Sequence, residues 1–274
     1  MTIIESLKQR KVTTRTLQEM KEAKKKITSL TAYDALTARI LDEAGIDMLL
    51  VGDSLGNVVQ GHETTIPVTI DEIIYHTKAV IRGVKRSLVV ADMPFMSYQV
   101  DAKEAFRNAG RLLKEAGAEA IKLEGATSNV LDSVYNMTNS GIPVLGHLGL
   151  TPQSIHKFGS YKVRGKDEEE SEAIQQAAKN LEQAGACAIV LEKIPATLAA
   201  TISKELSIPT IGIGAGVGCD GQILVYSDML GLTVDFNPRF VRKYMTMYEN
   251  MLSATKNYID DIEQEQFPNE QESY

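Results

Sequence analysis

Five apolar runs in this chain end on an ionisable side chain, and this pattern constrains the fold more than any other feature. The runs are LLVGD, VVAD, AIKLE, VLGH and AIVLE, which end on Asp53, Asp92, Glu124, His147 and Glu192. Near-continuous apolar runs of this length are typical of strands buried on both faces of a parallel sheet. Acids and a histidine at the ends of such strands predict the walls of one pocket.

These strands alternate with amphipathic stretches at short, regular intervals, which is the pattern of βα units. We predict strands at 26–33, 48–53, 88–94, 120–125, 144–149, 188–193, 210–216 and 222–228. We predict helices at 36–44, 70–83, 102–116, 128–139, 166–184, 196–206 and 239–261. Between the last two strands we expect at most a single helical turn. Eight strands favour a closed (β/α)8 barrel, with a flavodoxin-type open sheet as the alternative, and barrel active sites lie at the C-terminal ends of the strands.

Local signals support these boundaries. Thr69 and Glu72 have the spacing of a capping box, which predicts a helix start. Ala-Gly pairs ending at Gly45, Gly117 and Gly185 come before predicted strands and mark a repeated joint from helix through glycine to strand.

The chain has 274 residues, close to the length of about 250 that such a barrel needs. We therefore predict a single (β/α)8 domain over 1–274, with an N-terminal extension of about 1–25 and an acidic tail of about 260–274 that is expected to fray. Glutamates interrupt the basic residues of the first 26 positions, which weakens a transit-peptide interpretation.

Net charge and cysteine content limit the classes of partner that this chain is expected to bind. A net charge of −7 argues against nucleic acid, because phosphate binding needs a concentrated basic face. Cys187 and Cys219 form neither a disulfide framework nor a CxxC zinc motif. The sequence also has no apolar stretch of about 18 residues and no signal-peptide core. We expect a cytoplasmic protein with small-molecule partners and no membrane partner.

Asp53 and Asp92 follow strands that are too apolar to leave a carboxylate uncompensated. A hard divalent cation takes oxygen ligands from separate elements, which favours magnesium between these two residues. The alternative is that each aspartate only caps the helix after its strand, the commonest role of Asp at such a position.

The remaining strand ends leave two interpretations open at each position. Lys122 and Glu124 lie two residues apart on one strand, so they face the same side, either within a site or as a buried structural ion pair. Glu192 ends a strand expected on the opposite side of the barrel, and a solvated glutamate would explain it equally well. His147 is either catalytic or a hydrogen-bonded core residue. The other three histidines have no partner motif.

Two loops are candidates for contact with a ligand or for closure over the site. In the glycine run 212–218 no window fits GxGxxG, and the chain has no GK[ST], which excludes a P-loop. We expect this run to let the backbone turn closely beside a ligand at the barrel mouth. The polar stretch 151–171 is too long for a simple turn and is a candidate lid.

From about Thr31 to Gly231 the chain resembles the ketopantoate hydroxymethyltransferase family. The motifs are LTAYD (30–34), AGIDMLLVGDSLGNVVQGHETTIPVT (44–69), ADMPFMSY (91–98), IKLEGA (121–126), GHLGLTPQ (146–153), VRGK (163–166), VLEKIPA (190–196) and GIGAGVGCDGQILV (212–225). The resemblance implies a TIM barrel of the phosphoenolpyruvate/pyruvate-binding type. It also implies a homo-oligomer, frequently a decamer.

The resemblance further implies a role for each strand-end residue. Asp53 and Asp92 match magnesium ligands, and Glu124 supports the ion through water. Glu192 matches the general base, and His147 lies close to the hydroxymethyl group of the product. The implied substrate-binding positions are Asp53, Ser54, Asp92, Lys122 and His147.

The implied reaction adds a hydroxymethyl group from 5,10-methylenetetrahydrofolate to C3 of 3-methyl-2-oxobutanoate and gives ketopantoate in pantothenate biosynthesis, the route to coenzyme A. The C3 proton is poorly acidic, so the chemistry needs a Lewis acid and a base. Two alternatives remain. A related metal-dependent 2-oxoacid lyase would be expected to carry a catalytic cysteine in a KKCGH-like loop, which this chain lacks. A catalytically silent barrel that binds a small acid would not need intact ionisable strand ends.

Overall fold

The structure is a computed structural model that describes residues 10–274. Its strands are β1 (Ile27–Thr31), β2 (Met48–Val51), β3 (Leu88–Asp92), β4 (Ala120–Glu124), β5 (Val144–Gly149), β6 (Ala188–Glu192), β7 (Thr210–Ile213) and β8 (Gly221–Leu224). Its helices are α1 (Thr14–Glu22), α2 (Ala35–Glu43), α3 (Leu55–Val58), α4 (Ile70–Gly83), α5 (Ala102–Lys114), α6 (Ser128–Asn139), α7 (Ile155–Phe158), α8 (Glu168–Gln183), α9 (Ala196–Glu205), α10 (Tyr226–Met229) and α11 (Met247–Glu263). A 3-10 turn covers Pro152–Ser154.

Within the described residues, eight parallel strands form one closed barrel in sequence order, and β8 pairs with β1. The predicted (β/α)8 fold is confirmed, and the open flavodoxin-type sheet is excluded. As expected, the chain from β7 to β8 contains no long helix.

The barrel interior changes character along each strand. Because side chains alternate between the two faces of a strand, every second residue faces inward. The inward series are Leu88, Val90 and Asp92 on β3, then Ala120, Lys122 and Glu124 on β4, then Ala188, Val190 and Glu192 on β6. The first residue of each series belongs to one buried apolar cluster. The interior therefore passes from apolar to ionisable towards the C-terminal ends of the strands.

Helix α1 covers the opposite end of the barrel. Lys21 Nζ donates to Ile208 O at 2.8 Å, just before β7 begins, which places this helix against the N-terminal ends of the strands. The residues that this segment adds to the apolar cluster are Val12, Leu17 and Met20. The N-terminal extension, which lies outside the family motifs, is therefore partly a structural plug of the barrel. Its residues 1–9 lie outside the described residues.

Helix boundaries follow the predicted start and stop signals. Glu72 N–H donates to Thr69 Oγ1 at 3.3 Å and Thr69 N–H donates to the Glu72 carboxylate at 2.7 Å, which is the expected capping box. Gly45, Gly117 and Gly185 each follow a helix with a positive φ of 91°, 79° and 97°. Glycine adopts this conformation without steric cost, so the repeated joint has a backbone reason.

The chain divides into two compact units, residues up to 225 and residues 226–274. The expectation of a single domain over 1–274 stays a prediction. The predicted eighth strand, 222–228, is wrong beyond Leu224. From Tyr226 the chain is helical, and Tyr226 O accepts the N–H of Leu230 at 2.9 Å.

The last helix, α11, begins at Met247, later than the predicted start at 239. The N–H groups of Tyr244 and Met247 donate to Met229 O at 2.8 Å and Leu230 O at 3.0 Å. These bonds commit the preceding backbone to a turn against α10, so it cannot continue α11. The helix extends to Glu263, so the tail predicted to fray is helical at first.

No helix within residues 10–274 combines the length and the apolar character needed to cross a lipid bilayer.

Candidate active site

The predicted strand-end residues meet at the C-terminal rim of the barrel. Register pairs Asp92 of β3 with Lys122 of β4, and Glu124 of β4 with His147 of β5. Lys122 Nζ lies 2.8 Å from Asp92 Oδ1 and 3.8 Å from Glu124 Oε1. His147 lies 3.2 Å from Glu124 Oε1 through Nδ1 and 3.3 Å from Glu192 Oε2 through Nε2. These contacts form a continuous chain of ionisable groups, which we call the rim cluster: Asp53, Asp92, Lys122, Glu124, His147 and Glu192.

Asp53 joins the rim cluster from the loop after β2. Its backbone N–H donates to Asp92 Oδ2 at 3.2 Å, and its carboxylate accepts a hydrogen bond from Gln153 Nε2 at 2.8 Å. The residue at the N-cap of α3 is Ser54, not Asp53. Neither aspartate has the helix-capping role that was the alternative interpretation.

Ser54 presents a half-buried hydroxyl beside the rim cluster. Its side chain makes no capping hydrogen bond to α3, and its Oγ lies 2.7 Å from the hydroxyl of Tyr33. Tyr33 comes from the loop after β1 and is 2% exposed. The Ser54 hydroxyl is therefore held at the rim instead of serving the helix.

The electrostatics of Asp53 and Asp92 indicate excess negative charge. Burial, followed by the charges of Asp92 and Glu124, raises the pKa of Asp53 well above its usual range. Burial also raises the pKa of Asp92, although Lys122 opposes this shift. Burial alone would lower the pKa of Lys122, but Asp92 and Glu124 outweigh it and raise that pKa. Three buried carboxylates thus face one buried ammonium group.

This arrangement fits a divalent cation. Magnesium is usually bound through one or two protein carboxylates, with water and substrate oxygens completing its coordination. Asp53 and Asp92 supply two buried hard oxygen donors, and a cation between them would offset both the burial and the repulsion that raise the pKa of Asp53. In the described part of the chain, no group of three or more His, Cys, Asp or Glu side chains is already arranged around a metal position.

His147 links two carboxylates. Burial and the charge of Lys122 would lower its pKa, but Glu124 and Glu192 outweigh them and raise the pKa of His147 to about 9. Burial would also raise the pKa of Glu124, yet the hydrogen bond from His147 and the positive charges lower it. His147 is therefore protonated at neutral pH and is held between two carboxylates.

Glu192 ends β6, which lies opposite β2 and two strands from β4 in the closed order of the barrel. Glu192 is the register partner of Gly149 at the end of β5. A Cβ at Gly149 would stand 2.2 Å from Glu192 O, so only glycine lets the two strand ends approach this closely. Glu192 consequently lies beside His147, and its side chain is 17% exposed, which makes it the rim carboxylate that is open to solvent.

Tyr98 and Gln153 support the rim cluster, and neither was predicted from the sequence. Glu124 N–H donates to the hydroxyl of Tyr98 at 3.0 Å, and that hydroxyl donates to Gln153 Oε1 at 2.8 Å. Burial raises the pKa of Tyr98 well above its usual range, so the hydroxyl keeps its proton. Both residues lie within quoted motifs, ADMPFMSY and GHLGLTPQ, but no local pattern distinguished them from neighbouring polar residues.

The candidate lid, 151–171, is partly ordered against the end of β6. Arg164 N–H donates to Lys193 O at 2.9 Å, and Lys193 Nζ donates to Tyr161 O. Burial and the charge of Glu192 raise the pKa of Tyr161. The segment therefore passes beside Glu192.

The glycine run 212–218 has a packing role. A Cβ at Gly216 would stand 2.5 Å from Ala196 Cβ, and one at Gly218 would stand 2.7 Å from Ala200 Cβ. The close approach that the glycines allow is therefore an approach to α9, and the expectation of a ligand there has no support from this packing.

The chain matches one enzyme family over almost its full length. The family model of ketopantoate hydroxymethyltransferase matches residues 11–270. A 3-methyl-2-oxobutanoate hydroxymethyltransferase from Prosthecochloris aestuarii is 57% identical over 267 residues, covering 96% of each chain. The enzyme of that name from Salinibacter ruber is 56% identical over 264 residues, covering 96% of this chain and 99% of the relative.

Solved structures with the same fold are more distant in sequence. Phosphoenolpyruvate phosphomutase from Streptomyces platensis subsp. rosaceus has a TM-score of 0.63 at 12% identity, covering 92% of this chain and 88% of its own. Phosphonopyruvate hydrolase in complex with oxalate and Mg++ has a TM-score of 0.62 at 11% identity, covering 95% of this chain and 93% of its own. At these identities the likeness shows the barrel fold.

The two hydroxymethyltransferase relatives, at more than half identity and nearly full coverage, confirm the predicted enzyme class, a hydroxymethyltransferase acting on 3-methyl-2-oxobutanoate in pantothenate biosynthesis. They disfavour both the lyase and the catalytically silent barrel. The chain belongs to the ketopantoate hydroxymethyltransferase family.

Proposed function

We propose that the rim cluster removes the C3 proton of 3-methyl-2-oxobutanoate and directs the resulting carbanion equivalent onto the one-carbon unit of 5,10-methylenetetrahydrofolate. The observation that carries this proposal is the unbroken chain of contacts from Asp92 through Lys122, Glu124 and His147 to Glu192. It joins a buried, cation-accepting end to a carboxylate that is partly open to solvent.

Asp53 and Asp92 would hold Mg2+ or another divalent ion, and Glu124 would support it through water. When bound, the ion withdraws electrons from the 2-oxoacid and stabilises the negative charge that develops on its keto oxygen. Lys122 remains protonated between Asp92 and Glu124, so it adds positive charge near the substrate carboxylate. The Ser54 hydroxyl, held by Tyr33, is placed to donate to the same substrate.

Glu192 is the proposed base. Its carboxylate is the solvent-accessible member of the rim cluster and can reach a substrate seated in the barrel mouth. It takes the C3 proton, and the two electrons of the broken C–H bond move into the enolate. C3 then bonds the methylene carbon of the folate, whose bonds to N5 and N10 break. Water supplies the hydroxyl group, and its other hydrogen and the C3 proton end on the two folate nitrogens. The protonated His147 at 3.3 Å orients Glu192 and lies close to where the new hydroxymethyl group forms.

The folate would enter over the 151–171 segment. That segment contacts β6 immediately after Glu192, through the bond from Arg164 to Lys193. Such a position lets the segment limit access of bulk solvent to the enolate, while one water must still enter because its oxygen becomes the hydroxyl group of ketopantoate.

The assembly and location are proposed on separate grounds. We expect a homo-oligomer, for which the family resemblance implies sizes up to a decamer. In support, none of the 17 residues of α11 is buried, and its apolar side chains include Met251, Ile259 and Ile262. Light scattering on the purified protein measures the assembly. Two free thiols, Cys187 and Cys219, fit the cytoplasm, a reducing compartment.

The activity is tested with purified protein, 3-methyl-2-oxobutanoate, 5,10-methylenetetrahydrofolate and Mg2+. We expect ketopantoate and tetrahydrofolate in equal amounts, and chelation of the ion should stop their formation. Absence of ketopantoate with all components present would refute the proposed reaction.

The metal assignment is tested by calorimetry with Mg2+ or Mn2+. We expect Asp53→Ala and Asp92→Ala each to lose tight binding, because each removes one of two carboxylate donors. Asp71→Ala on the exposed side of α4 is the matched control and should bind as the wild type does. Unchanged affinity in both rim variants would remove these residues as ligands.

A further inference from the structure

Gln153 contacts Asp53 and Glu124, two of the three carboxylates that border the proposed cation position. It lies in the 3-10 turn after β5 and is 4% exposed. Its backbone N–H donates to Glu124 Oε2 at 3.0 Å, and its side-chain Nε2 donates to Asp53 Oδ2 at 2.8 Å and to Met93 O at 3.0 Å. The turn thus connects the ends of β2, β3 and β4 through one residue.

The orientation of the Gln153 amide is fixed by its surroundings. Its oxygen accepts from the Tyr98 hydroxyl at 2.8 Å and from Gln99 Nε2 at 3.1 Å, while its nitrogen faces a carboxylate and a carbonyl. A flipped amide would turn its oxygen towards two acceptors and lose all four bonds. Both hydrogens of the amide nitrogen and both acceptor sites of its oxygen are therefore used.

We propose that Gln153 is a positioning residue that holds the Asp53 carboxylate in the orientation needed to bind a divalent cation. The inference rests on the proposed function, because it takes Asp53 as a metal ligand. Rotation of the Asp53 carboxylate would break its bond to Nε2 and leave a buried donor unpaired, which is costly. Residues that orient a ligating carboxylate in this way affect metal affinity although they do not touch the metal.

The test is the Mn2+ affinity of full-length Gln153→Met, measured by calorimetry. This variant keeps the side-chain length and the backbone bond to Glu124 but removes the amide. We expect binding about 10- to 100-fold weaker than in the wild type, the typical effect of losing such an orienting partner. Gln176→Met, the same change on the exposed face of α8, is the matched control, and we expect its affinity to be unchanged.

A merely structural role gives a different result. It would lower the melting temperature of metal-free Gln153→Met and leave the Mn2+ affinity of the folded protein unchanged. Unchanged affinity in folded Gln153→Met overturns the inference. If that variant does not fold, Gln99→Met removes one of the two bonds that orient the amide oxygen and leaves the contacts between Tyr98 and Glu124 in place. Weaker Mn2+ binding by this variant supports the inference, and unchanged binding overturns it.

The wild type separates this inference from the proposed function. Wild-type protein that binds no Mn2+ overturns the metal assignment and this inference with it. Tight wild-type binding, lost in Asp53→Ala but unchanged in Gln153→Met, overturns this inference alone.

Discussion

The two ends of the barrel interior use the same strands for opposite purposes. At the N-terminal end, α1 inserts Leu17 and Met20 into an apolar cluster in which every side chain is almost fully buried. At the C-terminal end, two residues further along the strands, Asp92, Lys122 and Glu124 are buried just as completely but carry charge. The comparison teaches that one end supplies stability while the other holds reactive groups at a cost in stability, a usual trade-off at active sites.

The largest expected effect on stability comes from removing the ammonium group of the charged end. We expect Lys122→Met to lower the free energy of unfolding by about 3–5 kcal/mol at pH 7, because it leaves buried carboxylates uncompensated. The deficit should shrink as the pH falls, since protonation removes that repulsion. Urea denaturation at several pH values measures it, with the exposed Lys114→Met as control. A deficit that does not depend on pH would argue against the electrostatic cause.

At the apolar end we expect Leu17→Ala to cost about 2–5 kcal/mol, because a fully buried side chain leaves a cavity. Below its melting temperature the variant should keep the wild-type kcat, since α1 lies at the far end of the barrel from the rim. The 70% exposed Leu36→Ala is the control for stability. A large loss of kcat in folded Leu17→Ala would show that the two ends are not independent.

Removing a carboxylate from the charged end should raise the free energy of unfolding, whereas the two changes above lower it. We expect Asp53→Asn to stabilise the metal-free protein by about 0.5–2 kcal/mol while it abolishes tight Mg2+ binding. Because the folded state raises the pKa of Asp53, its ionisation destabilises the fold at pH 7. That penalty is absent below the ordinary value of 3.8, so the gain should vanish as the pH falls towards that value. Thermal melts in chelator at pH 4 and pH 7 test this, and a destabilised variant at pH 7 would contradict it.

The smallest expected effect lies outside the barrel interior. We expect Thr69→Ala to lower the free energy of unfolding by about 1 kcal/mol, because it removes the side-chain half of the capping box of α4. Urea denaturation measures the loss, and kcat should not change. Thr69→Ser, which keeps the hydroxyl, is the control and should be close to the wild type. Equal losses in the two variants would show that the hydroxyl is not the stabilising group.

The sequence predicted features that depend on periodicity along one strand. Alternation placed Lys122 and Glu124 on the same face, and the apolar runs located the strands of the barrel. It did not predict features that depend on the approach of separate strands. The contact between Glu192 and His147 requires the close approach that Gly149 allows, and Gln153 acts through residues at the ends of three other strands. The packing of α1 was not predicted because it depends on where the chain before β1 folds back against the barrel.

The central claim is that Glu192 removes the C3 proton of 3-methyl-2-oxobutanoate at the charged end of the barrel. The most direct measurement is exchange of that proton with deuterium from the solvent, followed by NMR in the presence of Mg2+ and without folate. Glu192→Gln keeps the shape of the side chain, and the control Glu205→Gln makes the same change on the exposed end of α9. We predict that Glu192→Gln binds the substrate but exchanges its proton about 10²- to 10⁴-fold more slowly, the typical contribution of a general base, while the control exchanges at the wild-type rate. Exchange by Glu192→Gln at the wild-type rate would contradict the account.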